Sequence, residues 1–412
     1  MAGSFGREVK ILFEDVIENF DKDLSLSLNC SQYTPDAKGM QRQGDQLWRP
    51  VPDISEITDG MTLVDNDFDD LLGLQVPATL SHVKNVPFKL DAKELRDDFY
   101  RGQKAKSARQ RLAAQIEQSV ATNVAMTGSQ VVKRGTLTGY ADLAECDAVL
   151  TEVGVPMDNR HFFFNARDNN SVAGTLAGKE TIQGKTERAM NKNYIGEFAA
   201  FSTYKTDVLP NIAAAGGGGG ITVVGYDQAL TPAATSTASS GEISNVDNRY
   251  MNLTVSSTTN VVAGDCFTIA GVYKCHMITK ETLPTLFTFR VIEVVSSTVL
   301  KITALIDSGA YQNVSAAPAH GAALVFLNTV AGQPNVFWHG DSVEVLHGRL
   351  GLEELRGGGL DIMTATTEQG VQIALVKQGS INSLVQKYRW VIFYGTSNKN
   401  PLMNGIMLSG QS

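Results

Sequence analysis

One long helical stretch, from Asp91 to Thr127, most constrains what this chain can fold into. It contains no proline, and its second half is rich in Ala, Leu, Gln, Glu and Arg, which are strong helix formers. At about 1.5 Å per residue this helix would be roughly 50 Å long, longer than a compact domain is wide. The apolar residues recur mostly at four-residue spacings and share one face: Leu95, Phe99, Leu112, Ile116, Val120 and Val124.

The charged residues in the middle of this helix are all basic. They are Arg101, Lys104, Lys106, Arg109 and Arg111. One interpretation is a solvated helix face, and the other is a surface that meets an acidic partner. The segment 53–70 offers such a partner, because it has no basic residue and carries seven carboxylates. Its last four are Asp65, Asp67, Asp69 and Asp70. The sequence leaves open whether the two regions meet within one chain or between chains.

Length, charge and cysteine content restrict the class of protein. A chain of 412 residues usually forms two or three domains. A net charge of −8 argues against a dedicated nucleic-acid binder, and no apolar run approaches the roughly 20 residues of a membrane span. The cysteines are too sparse for a disulfide framework, so we expect reduced buried thiols, although Cys266 and Cys275 are spaced to face each other across a hairpin.

The remaining chain divides into segments of different composition and residue pattern. Residues 7–28 read as an amphipathic helix with an acidic face that includes Glu14, Asp15 and Glu18, which is typical of a docking arm. Residues 39–90 read as an extended hairpin, in which Pro77 and Pro87 favour an edge strand or a free loop. The run AAAGGGGG at 213–220 is typical of a flexible linker. Residues 221–335 are almost wholly β-prone and predict a small barrel or sandwich inserted in a mixed α+β domain.

No catalytic constellation stands out. The stretch around Gly184-Lys185-Thr186 departs from a phosphate-binding loop, because five residues rather than four separate its glycines. His339 and His347 have no third metal ligand at a usual spacing, so a structural histidine is the simpler interpretation. The sequence therefore predicts no enzyme, no cofactor and no metal site.

A series of short motifs runs along nearly the whole chain. The motifs are Tyr33-Thr34-Pro35, Met40-Gln41-Arg42, Trp48, Pro50-Val51, Phe163-Phe164-Asn165, Val246-Asp247-Asn248-Arg249, Gly264-Asp265, Ala270-Gly271-Val272, Asn335-Val336-Phe337-Trp338, Gln378-Gly379, Ile381, Leu384, Tyr394-Gly395, Pro401, Gly405 and Gly410-Gln411. In kind and in order they resemble the coat proteins of the short-tailed Salmonella phage P-twenty-two group, and the stretch 166–215 departs most from that family.

The resemblance implies a mixed α+β fold, the Hong Kong 97-type capsid fold of tailed phages, with an inserted antiparallel β-barrel domain. The expected parts follow in chain order: an N-terminal arm (1–38), an extended loop called the E-loop (39–90), a peripheral domain with the spine helix (91–150), the first part of the axial domain (151–220), the inserted barrel (221–335), and the return of the axial domain with the C-terminal strands of the peripheral domain (336–412).

The resemblance also implies a function. The chain would be the major capsid subunit, forming hexamers and pentamers of an icosahedral shell that expands as double-stranded DNA is packaged. Expected partners are other copies of the chain, a scaffolding protein, a portal protein and DNA held by non-specific contacts, with assembly in the host bacterial cytoplasm and the product in the virion.

Three groups of residues are then candidates for contacts. The basic run and the acidic segment would join subunits, Asp247 and Arg249 would contact a neighbouring capsomer, and Glu14, Asp15 and Glu18 would meet scaffolding. No inter-subunit cross-link is expected, since the acidic loop has no lysine. The alternatives are an encapsulin-like cellular shell and, from another class, a hydrolase or carbohydrate-binding β protein.

Overall fold

A computed structural model describes residues 7–35, 46–52, 54–55, 60–61, 72–137, 139–177, 196–217, 220–352, 360–380 and 384–411. The chain divides into two compact units. Unit 1 comprises Met1–Leu47, Ala78–Ala121 and Val343–Ser397. Unit 2 comprises Trp48–Pro77, Thr122–Ser342 and Asn398–Ser412.

The described part of the chain contains α-helices and many short strands. The helices are α1 (Arg7–Phe20), α2 (Asp98–Thr127), α3 (Tyr140–Val153) and α4 (Ala166–Ala177). The strands are β1 (Ser31–Tyr33), β2 (Gln46–Pro50), β3 (Gln75–Thr79), β4 (His82–Asp91), β5 (Gln130–Lys133), β6 (Arg160–Phe164), β7 (Glu197–Phe198), β8 (Phe201–Lys205), β9 (Thr235–Thr237), β10 (Ile243–Asn245), β11 (Tyr250–Thr254), β12 (Cys266–Cys275), β13 (Thr282–Ser296), β14 (Val299–Thr303), β15 (Leu324–Phe326), β16 (Asn335–His339), β17 (Val343–His347), β18 (Asp361–Thr366), β19 (Gln372–Ser380), β20 (Val385–Asn398) and β21 (Asn404–Leu408).

The long helix is present, but it begins at Asp98 rather than at Asp91. The Asp97 carboxylate accepts hydrogen bonds from the backbone N–H groups of Phe99 and Tyr100, at 3.0 and 3.2 Å, and so caps the first turn. Asp91 is instead the last residue of β4. The first helix is also shorter than predicted, because it ends at Phe20 and a short 3₁₀ turn follows.

Unit 1 is built on one mixed sheet. Its strand order is β1-β17-β20-β19-β18, with β4 also paired to β20. The β1–β17 pair is parallel, and β4, β18 and β19 run antiparallel to their neighbours. Helix α1 buries its predicted apolar stripe here, and the Phe13 ring stacks on Trp390 at 5.7 Å between centroids. Pro87 lies in β4, whose partner among the described strands is β20, which agrees with the predicted edge strand.

Unit 2 contains a second mixed sheet, of order β5-β21-β16-β6-β8-β7. Its core is rich in aromatic residues, among which the rings of Phe162 and Phe337 are parallel, with centroids 6.1 Å apart. Helices α3 and α4 contribute Leu143, Leu150 and Val172 to that core. Strands β2 and β3 form a separate two-stranded sheet.

The β-prone segment of unit 2 forms an antiparallel sheet of order β11-β14-β13-β12-β15. Residues 221–224 hydrogen-bond at both edges of this sheet. Val223 N–H donates to Ala322 C=O at 2.9 Å, next to β15, and Val224 N–H donates to Thr254 C=O at 3.0 Å, in β11. The segment has a core of its own, drawn largely from residues 221–324.

The prediction of reduced buried thiols is confirmed, since all four cysteines are free and buried. The alternative, in which Cys266 and Cys275 face each other across a hairpin, is wrong, because they are the two ends of the same strand. The described part of the glycine-rich run is not a flexible linker, because Ala215 N–H donates to Asn328 C=O at 2.7 Å. A Cβ on Gly217 would lie 2.8 Å from the Phe326 ring, so this glycine allows close packing.

Candidate intermolecular contact surfaces

All five predicted basic residues lie on α2, but they do not form one uniform surface. Arg101 pairs with Asp98, one turn earlier on the same helix. The Arg109 Nε lies 2.8 Å from a carboxylate oxygen of Asp23, in the turn after α1. The Lys104 ammonium lies 5.1 Å from the centre of the Tyr100 ring.

The remaining two bases, Lys106 and Arg111, are exposed. Neither forms an ion pair with any residue that the structure describes. The exposed positive charge of α2 is therefore concentrated on these two side chains. The acidic residues expected to complement them, Asp65, Asp67, Asp69 and Asp70, lie outside the described residues.

The acidic face of α1 is also exposed, as its amphipathic pattern predicts. Glu14, Asp15 and Glu18 all point away from the buried stripe of Phe13 and Val16. One of them is engaged locally, since Asn19 Nδ2 donates to the Asp15 carboxylate at 2.9 Å. The face offers a row of carboxylates on a helix whose other side is anchored in unit 1.

Asp247 and Arg249 are brought together, but they bind each other. Arg249 Nε and Nη2 donate to the two carboxylate oxygens of Asp247, at 2.9 and 2.8 Å. The Arg249 side chain is only 12% exposed, and its Nη1 donates to the Asn398 carbonyl oxygen. Arg249 is therefore largely committed within its own subunit.

The exposed element next to this pair is the hairpin of β9 and β10, which we call the exposed hairpin (residues 235–245). Ile243, the first residue of β10 after the turn, is 68% exposed. The buried Asn248 holds its base, since its side chain accepts from Ala233 N–H at 3.1 Å and donates to Ala233 C=O at 2.9 Å. An isolated two-stranded ribbon is marginally stable in water, so such anchoring matters.

Sequence reasoning missed a buried carboxylate that anchors the N-terminal segment. Glu117, 4% exposed on α2, accepts the backbone N–H groups of Ser25, Leu26 and Ser27 at 3.1, 2.8 and 2.9 Å. The pKa of the neighbouring Cys30 thiol is raised by burial and further by the Glu117 charge. The sequence does carry one signal of this role: Glu117 is an acid that directly follows Ile116, within the apolar face of the helix.

Sequence reasoning also missed Arg290, which is fully buried on β13. Its Nη2 donates to Ala125 C=O at 2.6 Å and its Nε to Gly128 C=O at 3.3 Å, at the C-terminal end of α2. Helix ends leave carbonyl groups unpaired and favour positive charge, so this guanidinium caps the helix. No sequence signal would have identified it.

The two histidines considered as metal ligands, His339 and His347, are both buried. His339 is 4% exposed and burial lowers its pKa, while burial lowers the pKa of His347 to about 4. No cluster of three or more potential metal ligands exists within the described residues. No described helix is long and apolar enough to cross a membrane. Gly184-Lys185-Thr186 lies outside the described residues.

The chain was compared with known proteins. A family model described as "P22 coat protein - gene protein 5" matches residues 1–410. The capsid structure of cyanophage P-SCSP1u is 10% identical, with a TM-score of 0.46 over 93% of this chain and 87% of that chain. The bacteriophage PhiM1 mature capsid is 8% identical, with a TM-score of 0.43 over 94% of this chain and 87% of that chain. The CUS-3 coat protein I-domain is 35% identical over 27% of this chain and 99% of that chain, with a TM-score of 0.21.

Proposed function

Because this chain belongs to the P22 coat protein family and is a phage major capsid protein, we propose that it forms the hexamers and pentamers of an icosahedral shell around double-stranded DNA. The observation that carries this proposal is the match to the family over residues 1–410, nearly the whole chain. The role is structural, and the product is part of the virion.

We further propose the Hong Kong 97-type division of the chain. The helix α2 would be the spine of the peripheral domain, residues 39–90 the E-loop, and residues 221–335 an inserted β-barrel. Support for a closed barrel comes from residues 221–224, since they hydrogen-bond both to β11 and to the stretch leading into β15. Closing a sheet in this way removes its open edges.

The proposed contact between subunits joins α2 to the acidic segment of the E-loop. Lys106 and Arg111 are its cationic side, because they are exposed and have no described ion-pair partner. Asp65, Asp67, Asp69 and Asp70 are its anionic side. Opposite charges of this kind set orientation and association rate more than affinity.

The exposed hairpin is the proposed contact with a neighbouring capsomer. Asp247 and Arg249 remain candidates for that contact, but their mutual ion pair favours a supporting role at its base. Exposed residues of the hairpin, such as Ile243, are better placed to meet another protein.

Scaffolding-assisted assembly in the host bacterial cytoplasm, a portal protein at one vertex, and later expansion complete the proposal. Glu14, Asp15 and Glu18 are the proposed contact with a basic scaffolding segment, because they form an exposed acidic face on a helix. The shell would touch DNA through non-specific contacts.

Electron microscopy of the protein, expressed with and without the scaffolding gene of its phage, tests the assembly proposal. Uniform hollow icosahedral particles in the presence of scaffolding are expected. Small discrete oligomers under both conditions would overturn it.

A further inference from the structure

Three side chains of the β-prone segment bind the short stretch that follows the acidic segment, which we call the returning segment (residues 72–77). The Tyr311 hydroxyl donates to the Leu72 carbonyl at 2.7 Å. Asn245 Nδ2 donates to the Gln75 side-chain oxygen at 3.0 Å, and Arg249 Nη2 donates to the Pro77 carbonyl at 3.4 Å. All of these residues belong to unit 2. The returning segment is therefore held at both ends and in the middle.

The returning segment is also fixed in other ways. Leu74 and Val76 are buried, with 7% and 3% of their surface exposed. The outgoing chain is tied to it, since Val51 N–H donates to Leu74 C=O at 3.0 Å. The hydrogen-bonded positions 72, 75 and 77 are interspersed with the buried side chains of Leu74 and Val76. The register of the returning segment against its neighbours is therefore fixed.

Arg249 connects the returning segment to other parts of unit 2. One guanidinium binds the Asp247 carboxylate through two N–H groups, the Asn398 carbonyl and the Pro77 carbonyl. The planar fork of five donors makes this possible, and a lysine ammonium cannot reproduce its bidentate geometry. Because the side chain is largely buried, losing it would leave the Asp247 carboxylate and two carbonyl groups short of donors.

The contacts to the returning segment also involve the exposed hairpin. Asn245 is the last residue of β10, and it lies two residues before Asp247. The same short stretch, 245–249, therefore supports both the hairpin and the returning segment of the acidic loop.

We propose that the Asn245–Arg249 stretch is a mechanical junction that couples the exposed hairpin to the E-loop within one subunit. It rests on the proposed function only in naming those two elements as assembly contacts. In the shell, a neighbour bound at the hairpin would fix the position from which the acidic loop of the same subunit extends. Arg249 and Asn245 are positioning residues in this scheme, not contact residues.

Hydrogen–deuterium exchange of the soluble monomer, read by mass spectrometry, tests this junction without requiring any shell. The variants are Arg249→Lys, Asn245→Ala and Tyr311→Phe. The matched control is Arg389→Lys, because Arg389 Nε also donates to a side-chain oxygen, that of Asn85 at 2.8 Å, but in the sheet of unit 1. Exchange is followed in peptides covering 72–77 and 235–245.

We expect Arg249→Lys to raise the exchange rate of both peptides by on the order of tenfold, the effect of losing one or two buried hydrogen bonds. Asn245→Ala and Tyr311→Phe should each raise it several-fold in 72–77, and Asn245→Ala should also do so in 235–245. The control should leave both peptides unchanged.

Unchanged exchange of 72–77 in Asn245→Ala and Tyr311→Phe, both of which keep the buried cation, would overturn the junction. So would faster exchange in 72–77 without any change in 235–245 when Arg249 is replaced. Because the experiment uses monomer, a failure of shell formation is detected separately, by electron microscopy of the unmodified chain.

Discussion

The Glu117 carboxylate accepts the Leu26 backbone N–H at 2.8 Å, so an acid in the long helix α2 holds the backbone of the N-terminal segment. Two further backbone N–H groups and the Ser25 hydroxyl bind the same carboxylate. The backbone of residues 25–27 is therefore held against α2. Helix α1, which carries the acidic face, ends at Phe20, shortly before this held segment.

Replacing Glu117 by Ala should destabilise the monomer by about 3 kcal/mol, because several buried donors lose their acceptor. Glu117→Gln should cost less, since one oxygen still accepts. Urea unfolding of the monomer measures both effects. Glu14→Gln, a change at an exposed carboxyl of α1, is the control and should be nearly neutral. A Glu117→Ala variant as stable as this control would contradict the anchoring role.

Arg290→Met should also destabilise the monomer, by about 3 kcal/mol, because the carbonyl groups at the end of α2 lose their cationic cap. The fair comparison is Arg167→Met, at an exposed position in the same unit. Urea unfolding followed by circular dichroism gives both values. Equal stability of the two variants would show that the cap contributes nothing.

Lys274 should make stability depend on alkaline pH. It is 4% exposed, its Nζ donates to Gln130 Oε1 at 2.7 Å, and burial lowers its pKa to about 8 from the usual 10.5. Between those two pH values the unfolded chain holds a proton that the folded chain has released. Stability from this group therefore rises as the pH increases from 8 to 10.5.

The comparison of Lys274→Met with the unmodified protein isolates this effect. We expect the stability of the unmodified protein, relative to that of Lys274→Met, to rise by roughly 2–3 kcal/mol as the pH increases through that window. Lys133→Met, at an exposed residue of β5, is the control for replacing a lysine by methionine. A pH-independent difference for Lys274→Met would refute the prediction.

Charge reversal should test the contact between α2 and the acidic segment. The double variant Lys106→Glu and Arg111→Glu should assemble at least about tenfold less efficiently, because like charges would face each other, while the monomer stays folded. Reversing Asp65, Asp67, Asp69 and Asp70 to Lys should have the same effect. Sedimentation separates shells from monomer.

Combining the two sets of reversals should restore part of the shell yield, since opposite charges would face each other again. The matched control, Lys133→Glu with Arg167→Glu, changes the net charge equally at exposed positions elsewhere. Normal shells from the α2 variant alone, or from the acidic-segment variant alone, would refute an electrostatic contact between α2 and the acidic segment.

A triple variant of α1, with Glu14, Asp15 and Glu18 changed to Lys, should keep the monomer fold and lose at least tenfold in binding to the scaffolding protein of its phage. Co-sedimentation at low salt measures this binding. The control is the same number of reversals at Glu152, Glu281 and Glu293, which are also exposed. Unaltered scaffolding binding by the α1 variant would exclude this face as the contact.

How far the sequence predicts the structure differs from element to element. The periodicity of α2 and the strand character of the β-prone segment are local properties, and both were predictable. The helix start was wrong because β4 uses residues up to Asp91 and Asp97 caps the helix. The glycine-rich run suggested flexibility, whereas Gly217 is needed for packing against Phe326.

The residues that hold distant parts together were beyond sequence reasoning. Glu117 binds a segment about 90 residues earlier in the chain, and Arg290 binds a carbonyl group about 165 residues earlier. A single sequence does not reveal such pairings, since either residue could equally serve on a surface. Arg249 was identified by its position in a motif, but its bond to Asp247 and to distant carbonyl groups required the structure.

The chain enters and leaves the β-prone segment at adjacent points, because Ile212 and Gly332 exchange two backbone hydrogen bonds, at 2.9 and 3.0 Å. A module whose two ends meet in this way can be lengthened or exchanged without separating the strands from which it departs, provided that its contacts with the end of α2, such as that of Arg290, are kept. A lineage could therefore acquire or vary this module as a unit. For the same reason, this pair of residues is a natural place at which to graft a foreign domain for display on a particle.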